Sequence, residues 1–157
     1  MTRPNQLART LARFEALPTA LRVRVVSLIL GRIVPLVGNV ADPSPGLGWR
    51  GKERKALWER GSPGLILALA LIHHLVIDAG IPLRELLEWF ASLKSRLVIE
   101  FVDRHDPMVQ QMLRNRRDVF PDYTEQKFGE LLSRRARIVD VVTLPGSTRK
   151  LFAAEQH

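Results

Sequence analysis

His73 and His74 stand side by side at the end of an apolar run, GLILALALIHHLVI, residues 64–77. Imidazole titrates near neutral pH, so a histidine just past a strand end can take a proton from an attacking nucleophile. The competing role is packing at the start of the next helix. Adjacent histidines make poor metal spacing, and no metal is expected here. Glu100 is the second candidate, set in the apolar stretch LVIEFV, residues 97–102. Burying a carboxylate is costly unless it is paired, so Glu100 either faces a substrate as a base or pairs with an arginine. Trp49 and Arg50 lie in a loop, ADPSPGLGWRG, and offer an aromatic face and a guanidinium to an aromatic or anionic substrate group. The same loop contains Gly46, Gly48 and Gly51 in the literal G-x-G-x-x-G pattern. A dinucleotide turn needs a tight strand-to-helix connection, and the prolines at 43 and 45 lengthen the approach here. The pattern is therefore read as a loop.

These residues require elements to position them. Leu7, Leu11, Phe14 and Leu17 fall at helical spacing, and residues 21–30 and 32–40 read as strands, the second with Pro35 inside it. Residues 52–60 read as a short charged helix with Leu57 and Trp58 turned inward. Residues 65–71 form a continuous apolar run, as expected of a strand covered on both faces. An amphipathic helix follows over 81–93, then a strand over 96–102. Asp106 and Pro107 open a helix through about 116, as cap and first residue. Asp122 with Glu125 makes a capping-box pattern for a helix through about 135. Residues 137–143 and 149–153 flank Leu144-Pro145-Gly146-Ser147 and read as a closing hairpin. Strands alternating with helices argue an α/β fold with a mainly parallel sheet, ended by an antiparallel pair.

At 157 residues the chain is long enough for one domain with its own core. It has no cysteine, which excludes disulfide and thiolate chemistry. No secretory signal or membrane-length apolar run is visible, so a cytoplasmic protein is expected. The net charge of +8 is uneven: residues 1–61 carry 11 Lys and Arg against 4 Asp and Glu, whereas residues 62–157 carry 13 against 12. A basic front raises nucleic acid as a partner. That reading rests on charge alone, because no aromatic ladder, helix-turn-helix or zinc-finger spacing accompanies it.

The order and spacing of ADPSPGLGWR, LALALIHHL, LVIEFV, DPMVQ, FPDYT and LPGSTRKLF, over roughly residues 32–155, resemble the C-terminal half of class I S-adenosylmethionine-dependent methyltransferases. They resemble in particular a bacterial branch that includes nodulation-type methyltransferases. The resemblance implies a Rossmann-like sheet and S-adenosylmethionine as cofactor, with methyl transfer to a small molecule. It implies that Asp42, after the family's third strand, accepts from the adenine amino group. It also implies that Ala70, Leu71 and Ile72, ending the central strand, line the adenine and methionine crevice. The family's opening strand, glycine-rich turn and ribose-binding carboxylate have no counterpart: residues 1–31 hold one glycine, Gly31, and no acidic residue closing a strand. The expected organisation is a divergent segment over 1–31, with a helix and a substitute strand, and a methyltransferase-like portion over 32–157. Two readings follow: a methyltransferase domain or fragment, or a non-catalytic remnant that serves as an interaction subunit. Either way the central strand lacks its expected neighbour. Residues 22–30, a second copy or a partner chain would have to complete the sheet.

Overall fold

The computed structural model describes residues 38–114, 116 and 120–157. The expected helix over 5–17 and strand over 21–30 lie outside them, as do the boundary at 31 and nearly all of the strand over 32–40. Val40–His157 forms one compact unit.

The heart of that unit is a mixed four-stranded sheet. Its strands are β1 (Leu65–Ala68), β2 (Arg96–Phe101), β3 (Ala136–Thr143) and β4 (Lys150–Gln156), in the spatial order β1-β2-β4-β3. β1 and β2 run parallel, with Leu65 opposite Arg96 and Ala68 opposite Ile99. β4 returns antiparallel and inserts between β2 and β3, pairing Leu97 with Ala154 and Phe101 with Lys150 on one side. The α/β reading and the closing hairpin are thus both present.

Three α-helices connect the strands: α1 (Leu83–Ser92), α2 (Pro107–Leu113) and α3 (Glu125–Ser133). Leu83, Leu86, Leu87 and Phe90 recur at helical spacing on α1, and all four are buried. Phe128, Leu131 and Leu132 do the same on α3. Both stripes pack on the sheet face formed by Ile66, Ala68, Leu97, Ile99, Phe101, Phe152 and Ala154. Phe101, Phe128, Phe152 and Tyr123 meet there as an aromatic cluster, with ring centroids 4.8–5.1 Å apart. The Tyr123 hydroxyl donates to the Val102 carbonyl at 2.8 Å, and burial pushes its pKa above the ordinary tyrosine value. Tyr123→Phe leaves that carbonyl without its donor, so a loss of about 1–2 kcal/mol in urea unfolding is expected.

Several details depart from the sequence reading. Residues 52–60 form no helix beyond a single 3₁₀ turn, Leu57–Glu59. Ala56 is the buried residue there, while Leu57 and Trp58 are exposed. α2 ends at Leu113 rather than near 116. Its opening is as expected: Asp106 accepts from the Met108 amide, with Pro107 as first residue. The cap of α3 is Thr124, whose hydroxyl accepts from Lys127 N, and not Asp122.

The largest departure concerns β1. The strand ends at Ala68, not Leu71, and among the described residues it is not covered on both faces. Leu65, Leu67 and Leu69 are 44%, 60% and 53% exposed. An apolar run predicts burial on both sides, but among the described residues the stripes of α1 and α3 pack on the face that carries Ile66 and Ala68. Among the described residues the outer edge of β1 has no pairing strand. The opposite edge, β3, is handled differently. It carries a bulge between Ile138 and Asp140 and an Arg137–Glu155 ion pair, both of which discourage further pairing.

Candidate functional site

The carboxyl ends of the parallel strands β1 and β2 gather most of the candidate residues. After Ala68 the chain turns sharply. Ala70 adopts φ 48°, a left-handed conformation that side chains other than glycine rarely take. Its amide donates to Glu100 Oε2 at 2.7 Å. Residues 71–73 then lead into a π-helical turn, His74–Asp78, closed by Ala79 N donating to the His74 carbonyl. Such turns are rare and recur at functional sites. Ala70, Leu71 and Ile72 therefore lie past the strand end rather than within it. Ala70 is exposed, Leu71 half-buried and Ile72 buried.

The two histidines have separate environments. His74 is exposed, and its Nδ1 pairs with Asp78 Oδ2 at 2.9 Å, one turn along. His73 is buried, and its Nδ1 makes no hydrogen bond. Burial lowers its pKa below the ordinary 6.5, helped by His74 and Arg149, while Asp106 and Glu100 oppose the shift. His73 is thus a neutral imidazole at pH 7 with an unused ring nitrogen. Because the folded state resists protonating it, the unfolded state binds more protons below about pH 6.5. Stability should therefore fall as pH drops from about 6.5 towards 5, and His73→Asn should flatten that part of the curve. Asp103 and Asp106, whose pKa values are lowered below the usual 3.8, lose their contribution only in more acid solution. Urea midpoints measured across that range check the slope.

Glu100 is buried as expected, and its partner is Arg149. Glu100 Oε1 accepts from an Arg149 terminal nitrogen at 3.2 Å, and Arg149 Nε donates to Asp106 Oδ2 at 2.8 Å. The side chains of Glu100 and Asp106 are only 8% and 7% exposed, and that of Arg149 is 28% exposed. Desolvation pushes the Asp106 carboxyl up, but the Arg149 contact and the Met108 amide outweigh it and leave its pKa lowered. One arginine thus ties the end of β2, the cap of α2 and the start of β4. An open cleft of about 670 Å³, lined in part by His105, Asp106, Ser147, Thr148 and Arg149, reaches this cluster from the hairpin side.

The remaining candidates come from the segment before β1. Asp42 is exposed in the bend after residues 40–41. Trp49 and Arg50 occupy a 3₁₀ turn, Trp49–Gly51, and Trp49 is 77% exposed. Leu47 bridges to Arg54, and Leu47 N donates to the Arg54 carbonyl at 2.9 Å, which closes the glycine pattern on itself as a surface loop. Gly48 has φ 83°, and a Cβ there would collide with the Glu53 side chain. The glycines serve this loop, in agreement with the rejection of a dinucleotide turn. A separate groove of about 520 Å³ runs along α1, lined partly by Val40, Trp58, Ile81, Trp89 and Lys94. It includes none of the candidate site residues.

No protein-family model matches the chain. No solved structure matches it either. Among curated proteins, a nodulation protein of Rhizobium meliloti (strain 1021), NoeA, is 40% identical over 123 residues. The match covers 78% of this chain and 26% of that protein, so the chain spans about a quarter of the length of the relative it matches. Among the described residues no helix is long and apolar enough to cross a membrane.

Proposed function

We propose that this chain carries the C-terminal part of a class I S-adenosylmethionine-dependent methyltransferase domain, acting on a small-molecule acceptor. The observation that carries the reading is the strand end itself. In open α/β sheets ligands bind in the crevice beyond the carboxyl ends of parallel strands. Here that end presents an exposed Ala70, a half-buried Leu71 and a buried His73 with an unused nitrogen. The helix–strand order and the antiparallel hairpin are those the resemblance implies, and the likeness to a nodulation protein agrees with the bacterial branch it points to.

On this reading Asp42 and residues 70–72 would form one wall of a cofactor site. Asp42 would accept from the adenine amino group, and residues 70–72 would line the adenine and methionine moieties. When bound, the cofactor supplies a sulfonium methyl group for direct displacement. Of the two histidines, His73 is buried and resists protonation, whereas His74 is exposed with its Nδ1 held by Asp78, so His74 is the one placed to take a proton from an acceptor. Trp49 and Arg50 would meet the acceptor only if their loop reaches over the strand end. The glycine-rich turn and ribose carboxylate that the resemblance calls for are not in this sequence, so binding by this chain requires its front segment or a second copy to complete the site.

Titration calorimetry of S-adenosylhomocysteine into the monodisperse full chain tests this. Micromolar binding that Asp42→Ala abolishes is the expected result. A folded protein that binds nothing at millimolar ligand would refute it.

The second reading, a non-catalytic interaction subunit, is favoured by the uncovered apolar face of β1, where Leu65 and Leu67 are exposed, and by its outer edge, which no described strand pairs. On both readings that edge is completed by pairing with residues 22–30, with a second copy or with a partner chain. Hydrogen exchange with light scattering is the check: amides of residues 65–68 should be protected in the completed form. A monomer in which they exchange freely would count against completion by this chain or by a second copy.

A further inference from the structure

Glu100 was a candidate base, yet both its oxygens are occupied: Oε2 accepts from Ala70 N at 2.7 Å and Oε1 from Arg149 at 3.2 Å. The partner at 2.7 Å is a backbone amide 30 residues away in sequence, and that amide belongs to a residue in a conformation that alanine avoids. Left to local preference, an apolar run of this kind would continue extended through Leu71. Holding an L-residue in the left-handed region costs roughly tenfold in the local equilibrium. A short, charge-assisted hydrogen bond from a buried carboxylate is strong enough to offset that cost. The carboxylate is in turn fixed by Arg149, and Arg149 by Asp106 at the cap of α2.

We propose that Glu100, anchored by Arg149, is a positioning residue: it holds Ala70 in its left-handed turn and so ends β1 early, setting the backbone from which residues 71–73 are presented. The consequence for cofactor affinity rests on the function proposed above. The consequence for the turn does not.

The test is a double-mutant cycle in the full chain, with wild type, Glu100→Met, Ala70→Gly and the double variant. Glycine takes φ near 50° without strain, so it needs no carboxylate to hold it there. In the alanine background Glu100→Met should let residue 70 relax towards extended backbone, read from its backbone chemical shifts and scalar couplings. In the glycine background the ratio of left-handed to extended backbone should stay about tenfold higher. If wild type binds S-adenosylhomocysteine, Glu100→Met should weaken binding at least tenfold and Ala70→Gly should recover much of it. A residue 70 that stays left-handed in Glu100→Met with alanine present would overturn the proposal, leaving Glu100 as a counter-ion for Arg149. Should Glu100→Met not fold, Glu100→Gln decides by nuclear magnetic resonance. The Ala70 amide proton should move upfield when its acceptor loses charge, and an unmoved resonance would overturn the assignment. Absence of cofactor binding by wild type would sink the cofactor reading and leave the cycle to be judged by the conformation of residue 70 alone.

Discussion

Replacing Arg149 with methionine should destabilise the protein by about 3–5 kcal/mol at pH 7, the range for removing one partner from a buried charge network. The reason lies in what remains. Glu100 and Asp106 are both almost fully buried and share this one cation. Without it, two carboxylates face each other in a poorly solvated site, and neither can turn to water without disturbing β2 or the cap of α2. Removing the charges together should be far milder, so Arg149→Met with Glu100→Gln and Asp106→Asn should recover part of the loss. Arg149→Lys should fall between, because lysine lacks the planar fork that reaches two carboxylates at once. Urea unfolding of the four proteins measures this. A loss under about 1 kcal/mol for Arg149→Met would mean that the cluster behaves as a solvated surface pair.

That network also shows how far the sequence could be read. A glutamate inside LVIEFV announces that a cation must lie nearby, and one does. It does not say which. Arg149 is 49 residues away, at the start of a strand that returns antiparallel, and it is one of 24 basic residues. Only the register that sets Phe101 opposite Lys150 brings it to the end of β2. Asp106 was legible as a helix cap because capping is local, whereas its second oxygen serves a tertiary partner and left no local mark. The same division holds for the elements. The strands, α1 and the hairpin followed from periodicity and turn chemistry. The strand end at Ala68 did not, since it is set from Glu100 and not by residues 65–71. The helix expected over 52–60 failed because its inward stripe amounts to Ala56 alone, too little burial to hold a short helix. The histidine pair was found from its position, but the sequence could not tell His73 from His74. Burial and the Asp78 contact separate them.

The other large effect is expected in the core beneath this site. Phe128 is fully buried on α3, with its ring 5.1 Å from Phe101 on β2 and 4.8 Å, edge-on, from Phe152 on β4. It is the side chain through which α3 grips the two strands that carry Glu100 and follow Arg149. Phe128→Ala should cost about 3–5 kcal/mol, the sum of lost transfer energy and an incompletely closed cavity. Phe128→Leu should cost less, since it keeps most of the volume and loses chiefly the edge-on contacts. The two variants should also differ in where they loosen the protein. With the aromatic cluster hollowed, β4 loses its seat against α3, and the Arg149 clamp should slacken with it. Hydrogen exchange at β4 amides and at Ala70 N should then rise together in Phe128→Ala, while amides of α1, which packs through its own leucines, remain protected. Exchange that rose in β4 but left Ala70 unchanged would show that the strand end is held independently of the hairpin.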